Sequence, residues 1–266
     1  MSDTVSRRSA GPAETAYANR GWWDREAAEY VAEHGDFLGD AELVWGPEGW
    51  SERELDLLGA RPDDRILEVG AGAAQGSRYL HDIGVRRVVA TDLSAGMLAQ
   101  ARLIDDSHDI HLPLLQCDAT VLPFADRSFD VVFTAYGAIP FIADTAAVMR
   151  EVYRVLDAGG RWVFSTTHPI RWAFPDAPGP EGLTVRTSYF DRTPYVEQDG
   201  SGRATYVEHH RTMGDRIREL AAAGFVIDDV VEPEWPARND QIWGGWSPLR
   251  GTVIPGTAIF VAHRAG

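Results

Sequence analysis

The chain has 266 residues, 44% of them hydrophobic and 10% aromatic, a composition that builds one large globular core with additions and excludes a disordered chain. A formal net charge of −15 and a pI near 4.9 give a surface that repels phosphate backbones and anionic lipid, so nucleic acid and membrane are not expected partners. The single cysteine, Cys117, cannot form an internal disulfide, and no apolar run reaches the length of a signal-peptide core or a membrane span, so a cytoplasmic location is expected.

Residues 1–15 are polar and small, and a flexible tail is expected there. From Ala16 to Leu58, apolar and aromatic residues recur at helical spacing with breaks at Gly35, Gly39 and "GPEG" (46–49), which predicts short helices over 16–58 ahead of a main domain over 59–266. The main domain alternates strand-like and helix-like stretches. Strands are predicted at "RILEVG" (65–70), "RRVVATD" (86–92), "LPLLQCD" (112–118), "FDVVFTAYG" (129–137) and "GRWVFSTTH" (160–168). Strands this apolar, separated by helices, predict a doubly wound α/β fold with a mostly parallel sheet covered on both faces. After the helical "GDRIRELAAAG" (214–224), "FVIDDVVEP" (225–233) and "TAIFVAHR" (257–264) predict two more strands with an antiparallel end to the sheet.

Between residues 169 and 211 this alternation gives way to Pro, Gly, Asp and aromatic residues, too long a stretch for an ordinary connection. Its aromatic content predicts an ordered insertion that covers a substrate.

The stretch "RILEVGAGAAQG" (65–76) carries the chemistry. Glycines at a strand-to-helix turn let the backbone approach a ligand closely, but the spacing is G-x-G-x-x-x-G and not the dinucleotide fingerprint. Glu68, two residues before the first glycine, would repel a pyrophosphate and attract a cationic group. S-adenosylmethionine carries an ammonium and a sulfonium and no phosphate, so the charge logic favours it over NAD. Asp92 closes the second strand, where an acid can accept hydrogen bonds from both ribose hydroxyls. Asp118 closes the third and can accept from the adenine amine, with Leu93 and Met97 as apolar cover for the ring.

These residues resemble the class I S-adenosylmethionine-dependent methyltransferases, in particular the members that act on small molecules. The resemblance rests on "LEVGAGAAQG", "ATDLSAGML", "QCDATVLPFADRSFDVVFTAYG" and "MREVYRVLDAGGRWVFSTTHP" and extends from about Trp50 to the C-terminus. It implies a seven-stranded sheet with an antiparallel last strand, and cofactor contacts at Glu68, Gly70, Gly72, Gly76, Asp92, Met97, Asp118 and Ala119. The start, "RGWWDREAAEYVAEHG" (20–35), is similar to the N-terminal lid helices that close over the cofactor in such enzymes, which puts Trp22 and Tyr30 beside the substrate.

Methyl transfer is an in-line displacement, so the protein mainly positions the nucleophile and excludes water. A hydroxyl acceptor also needs a base, which histidine can supply near neutral pH. His168, after the fifth strand, and His210, before the last long helix, are the candidates, and both are expected to converge with Tyr136 on the substrate side. Trp172 and Tyr189 of the insertion are expected to contact the substrate. No histidine has the spacing of a metal site, and no Gly-x-Ser-x-Gly elbow occurs. The expectation is therefore a methyltransferase that O-methylates a small molecule, a sugar or polyol-like metabolite. C- or N-methylation of a quinone, polyketide or other secondary metabolite stands as the alternative, and a non-catalytic S-adenosylmethionine-binding sensor as the alternative of another class. A homodimer stays open.

Overall fold

A computed structural model describes residues 4–266. Its centre is a seven-stranded sheet in the order β4-β3-β2-β5-β6-β10-β9. The strands are β2 (Arg65–Val69), β3 (Arg87–Asp92), β4 (Leu114–Gln116), β5 (Phe129–Thr134), β6 (Leu156–Thr167), β9 (Phe225–Val231) and β10 (Thr257–Arg264). The first five run parallel, and β10 lies antiparallel to both β6 and β9. This is the doubly wound seven-stranded sheet with an antiparallel last strand. The third strand is shorter than its 112–118 pattern, because Pro113 has no N–H to give to a ladder. The fifth begins at Leu156, directly after its helix, and bulges so that its register against β5 passes from Leu156 to Arg161.

Successive residues of the central strands face opposite sides, which splits the core in two. Leu67, Val132, Phe164 and Phe260 go to one side, and Ile66, Val131, Val163 and Ile259 to the other. On the first side Trp162, Phe164 and Phe260 stack in a row, with ring centroids 5.1 and 4.8 Å apart. Each such side chain contributes about 1.5–3 kcal/mol by leaving water. Three helices flank the parallel strands: α3 (Gln75–Asp82), α4 (Ala95–Ser107) and α5 (Thr145–Val155). Helix α5 buries Val148, Met149, Val152 and Val155, the stripe expected of an amphipathic helix on a sheet.

The two ends of the chain's first third depart from expectation. Thr4–Arg7 form β1, paired antiparallel with β7 (Tyr195–Gln198), where a loose tail over 1–15 was expected; Met1–Asp3 lie outside the described residues. One long helix, α1 (Pro12–Leu38), replaces several short ones. Proline at its first turn costs no hydrogen bond, Gly35 is tolerated inside, and the helix stops at Gly39 (φ 68°). After α1 only the short α2 (Glu52–Leu55) follows before the sheet.

The 169–211 insertion is ordered. It holds two 3-10 turns and the hairpin β7–β8, with β8 at Ala204–Glu208, so that β1, β7 and β8 make a second, three-stranded sheet. Helix α1 is held between this small sheet and helix α4. On one side the Asn19 side chain exchanges hydrogen bonds with both backbone groups of Val207 and donates to the Phe141 carbonyl. On the other, Asp24 Oδ1 accepts the Ser94 hydroxyl at 2.7 Å and the Gly96 N–H at 3.0 Å. A Cβ at Gly96 would come within 2.6 Å of the Asp24 carbonyl oxygen, so this approach needs glycine. None of the described helices is long and apolar enough to cross a membrane.

Candidate active site

The carboxyl ends of β2, β3, β4 and β5 open into one cavity, roofed by α1. Its floor is the glycine turn. Gly70 and Gly72 hold positive φ (65° and 55°), a region from which side chains are excluded at low cost only for glycine. A Cβ on Gly70 would stand 2.5 Å from that of Ala138, and one on Gly76 would stand 2.7 Å from Glu68 Oε1. The turn is fixed from behind by a fully buried ion pair, Arg78 to Asp105 at 2.8 Å, and by a bond from Arg78 to the Ala73 carbonyl.

All nine expected cofactor residues, Glu68, Gly70, Gly72, Gly76, Asp92, Leu93, Met97, Asp118 and Ala119, line this cavity. Glu68 is 4% exposed, and its Oε2 accepts the Ser77 N–H at 2.9 Å and the Ser77 hydroxyl at 2.5 Å. Burial pushes its pKa up to about 7, against those two bonds. Asp92 accepts the Gly72 N–H and the Ser94 N–H, both at 2.8 Å, so it braces the glycine turn and the start of α4 together. Burial raises its pKa too. Asp118 Oδ1 accepts from the Thr120 N–H and hydroxyl. Glu42 completes the acids, and among the described residues no arginine or histidine lines the cavity. Such a wall favours a cation and disfavours a phosphate.

Aromatic side chains close the other side. Trp23 and Tyr30 come from α1, Phe141 from the turn after β5, and Tyr136 from the end of β5 itself. Trp23 packs edge-on against Tyr30 and Phe141, at 5.2 and 5.5 Å. Tyr136 has φ 62°, and the Gly137 N–H donates to the Ala135 carbonyl at 2.7 Å, a strained three-residue turn centred on the tyrosine. The Tyr136 N–H is held by Ser165 Oγ at 2.7 Å. Burial raises the pKa of the Tyr136 phenol, which stays protonated at neutral pH. Backbone strain of this kind survives where surrounding structure imposes it, and it is common at functional sites.

The remaining expected residues do not converge. His168 lies outside the cavity: its Nδ1 accepts the Ile170 N–H, which caps the turn that follows, and its Nε2 donates to Glu232 Oε1 at 2.7 Å, so both ring nitrogens are engaged. His210 lies outside as well, fully buried between Trp172 and Tyr189, with Nε2 donating to the Tyr189 carbonyl at 2.7 Å. Burial lowers its pKa to about 4. Trp22 and Trp172 line a second, neighbouring cavity, and Tyr189 lines neither, its hydroxyl accepting the Met213 N–H. The Leu43–Gly46 segment and Trp243 line the first cavity without having been expected there. Trp243 stacks on His34 of α1 at 4.8 Å. Its only sequence signal was the aromatic, glycine-rich "WGGW" in a long connection.

S-adenosylmethionine fits this set of groups: a glycine floor that a Cβ would fill, acids at three successive strand ends, apolar cover from Leu93 and Met97, and no basic side chain on the wall. Residues 67–164 match the methyltransferase domain family. A demethylmenaquinone methyltransferase of Streptomyces avermitilis is 37% identical over 237 residues, covering 88% of this chain and 90% of that protein. A demethylmenaquinone methyltransferase of Beutenbergia cavernae is 36% identical over 143 residues, 54% of this chain and 57% of that one. A ubiquinone/menaquinone biosynthesis C-methyltransferase of Stenotrophomonas maltophilia is 34% identical over 135 residues, 49% of this chain and 53% of that one. The chain thus spans little more than half the length of these last two relatives. Among solved structures, an S-adenosylmethionine-dependent methyltransferase from Mesorhizobium loti superposes with a TM-score of 0.60 at 29% identity, over 76% of this chain and 91% of that one. The chain belongs to the class I S-adenosylmethionine-dependent methyltransferases.

Proposed function

We propose that the chain methylates a ring carbon of a small, electron-rich aromatic acceptor of the hydroquinone type. The observation that carries this reading is the cavity wall, which has acids for a cationic cofactor and aromatic rings for a flat acceptor but, among the described residues, no imidazole. Bound S-adenosylmethionine supplies a methyl group on a sulfonium. Glu68 and Asp92 would hold the cofactor by its cationic end and its ribose hydroxyls, and Leu93, Met97 and Asp118 would receive its adenine. Trp23, Tyr30, Phe141 and Trp243 exclude water from the space in which the methyl group passes. The neutral Tyr136 phenol donates a hydrogen bond to a ring oxygen of the acceptor. A hydroquinone carbon needs no protein base to become nucleophilic, because the ring oxygens push the electron pair; the C–S bond would break as the C–C bond forms, its electron pair staying on S-adenosylhomocysteine, and the displaced ring proton would pass to solvent.

One relative is named a ubiquinone/menaquinone biosynthesis C-methyltransferase and two are named demethylmenaquinone methyltransferases, which supports a quinone-type ring, and carbon over oxygen, as the acceptor. O-methylation of a sugar or polyol, the first expectation, has less support, since both histidines offered as its base lie outside the cavity. The test is incubation with methyl-labelled S-adenosylmethionine and 1,4-naphthalenediol under reducing, oxygen-free conditions. Carbon transfer gives 2-methyl-1,4-naphthalenediol, which air oxidises to a quinone. A methyl ether, which resists that oxidation, would move the assignment to oxygen. Tight cofactor binding with no transfer to any acceptor of this class would leave a binding protein.

A further inference from the structure

The second cavity is built from parts added to the methyltransferase sheet. Arg7 of β1, Trp22 of α1, Arg171 and Trp172 of the turn after β6, Arg186 of the insertion loop and Tyr206 of β8 meet there. It shares a wall with the cofactor cavity. Trp22 packs edge-on against Trp23 at 4.7 Å, and Tyr206 leans on Phe141 at 5.6 Å, with Trp23 and Phe141 facing the cofactor side. Arg171 also lies within electrostatic reach of Tyr136.

Every one of the 25 basic residues in the chain is an arginine. None lines the cofactor cavity, and three line this one, in a molecule of net charge −15. Arg7 and Arg171 both sit over the Trp172 ring, at 5.4 and 4.9 Å. Gathering two guanidinium groups on one indole brings like charges together; Asp176 and Glu208 balance Arg171, and no acid lies within ion-pair distance of Arg7 among the described residues. The acids of the wall are largely engaged. Asp176 pairs with Arg171 at 2.9 Å, Glu208 accepts the Tyr206 hydroxyl at 2.7 Å and lies 3.6 Å from Arg171, and Glu197 accepts the Tyr195 hydroxyl at 2.9 Å. Among the described residues, Arg7 and Arg186 have no acid within ion-pair distance. Behind the wall, fully buried Arg250 adds a further cation 3.8 Å from Asp176, over the Trp246 ring and with no hydrogen-bond partner for its Nε and Nη2.

We infer that the second cavity is the outer half of the acceptor site and that it takes an anionic oxygen group, a carboxylate, carried by the aromatic acceptor. Arg171 and Arg7 bind the oxygens, Arg186 adds charge at the rim, and Trp22 and Tyr206 flank the ring between the two cavities. The inference rests on the ring-methylation reading and narrows its substrate class. An acceptor with a long prenyl tail would lay hydrocarbon on guanidinium and carboxylate groups and strip them of water without replacing their hydrogen bonds, so this cavity selects against it.

The experiment is isothermal titration of the full chain, saturated with S-adenosylhomocysteine, with three probes: 1-hydroxy-2-naphthoate, 1-naphthol, and a prenylated naphthoquinol. The carboxylated ring is expected to bind at least about tenfold more tightly than 1-naphthol, because charge-assisted pairing with arginine adds to the same ring contacts. Arg171→Gln is expected to remove that preference and leave S-adenosylhomocysteine affinity unchanged. The exposed pair Arg7→Gln/Arg186→Gln, which does not disturb buried ion pairs, is expected to reduce it about threefold or more. Equal binding of the two naphthyl probes by the parent, an unchanged preference in both variants, or tighter binding of the prenylated probe would overturn the inference. Failure of the parent to bind S-adenosylhomocysteine would strike the methyltransferase reading itself, a separate and distinguishable result.

Discussion

Glu68 is predicted to weaken the fold in order to hold the cofactor, and Glu68→Gln tests this. The carboxylate is buried, and its pKa rises from an ordinary 4.5 to about 7. A carboxyl group with a raised pKa in the folded state contributes stability that is fully present below pH 4.5 and is lost as pH rises through 7. At about 1.4 kcal/mol for each pH unit, the ionised carboxylate costs about 3 kcal/mol of folding stability at pH 8. Glutamine keeps an acceptor for the Ser77 N–H at the same place and carries no charge. Urea denaturation at pH 8 should therefore find the variant more stable than the parent by about 3 kcal/mol, and at pH 5.5 by only about 1 kcal/mol. Cofactor binding should move the opposite way. Calorimetry should show the parent's affinity for S-adenosylhomocysteine rising between pH 5.5 and 8, as Glu68 ionises against the ligand's ammonium, while the variant binds about tenfold or more weakly at pH 8 and with little pH dependence. A variant no more stable than the parent at pH 8, or a stability gap that does not change with pH, would refute the assignment of a strained, cation-seeking carboxylate.

Asp92→Ala removes the acceptor shared by Gly72 and Ser94 and should weaken S-adenosylhomocysteine binding by about 1.5–3 kcal/mol, measured by titration calorimetry. Gly70→Ala should lower stability by about 2 kcal/mol or more in thermal melting, since the new Cβ meets Ala138 and the backbone holds positive φ. His168→Ala should lose about 1 kcal/mol of stability with its cap but change turnover by less than about threefold, where loss of a true base would cost about 10² to 10⁴. Amide exchange in α1 should slow when S-adenosylhomocysteine binds, because Trp23, Tyr30 and Leu38 line the cavity; unchanged exchange there would confine the helix to packing.

Local chemistry in the sequence already determined the sheet and the cofactor side of the site. Apolar strands such as "RILEV" and "FDVVF" bury both faces, glycines at 70 and 72 take a backbone region that other residues enter only at a cost, and Glu68, Asp92 and Asp118 stand at strand ends that a parallel sheet must place side by side. Each of those signals lies within a few residues of the place where it acts. The rest depended on contacts between distant segments, which no periodicity reports. The 1–15 stretch looked like a tail because β1 becomes a strand only on meeting β7, nearly two hundred residues away. His168 and His210 looked like bases because their positions at element ends pointed to the crevice, whereas both lie outside the cavity, with both His168 ring nitrogens bonded to Ile170 and Glu232 and His210 Nε2 bonded to the Tyr189 carbonyl. The raised pKa of Glu68 follows from how completely the packed fold buries it, which no local pattern reports. The arginine-lined second cavity exists only where residues 7, 22, 171 and 206 come together, and tertiary packing alone brings them there.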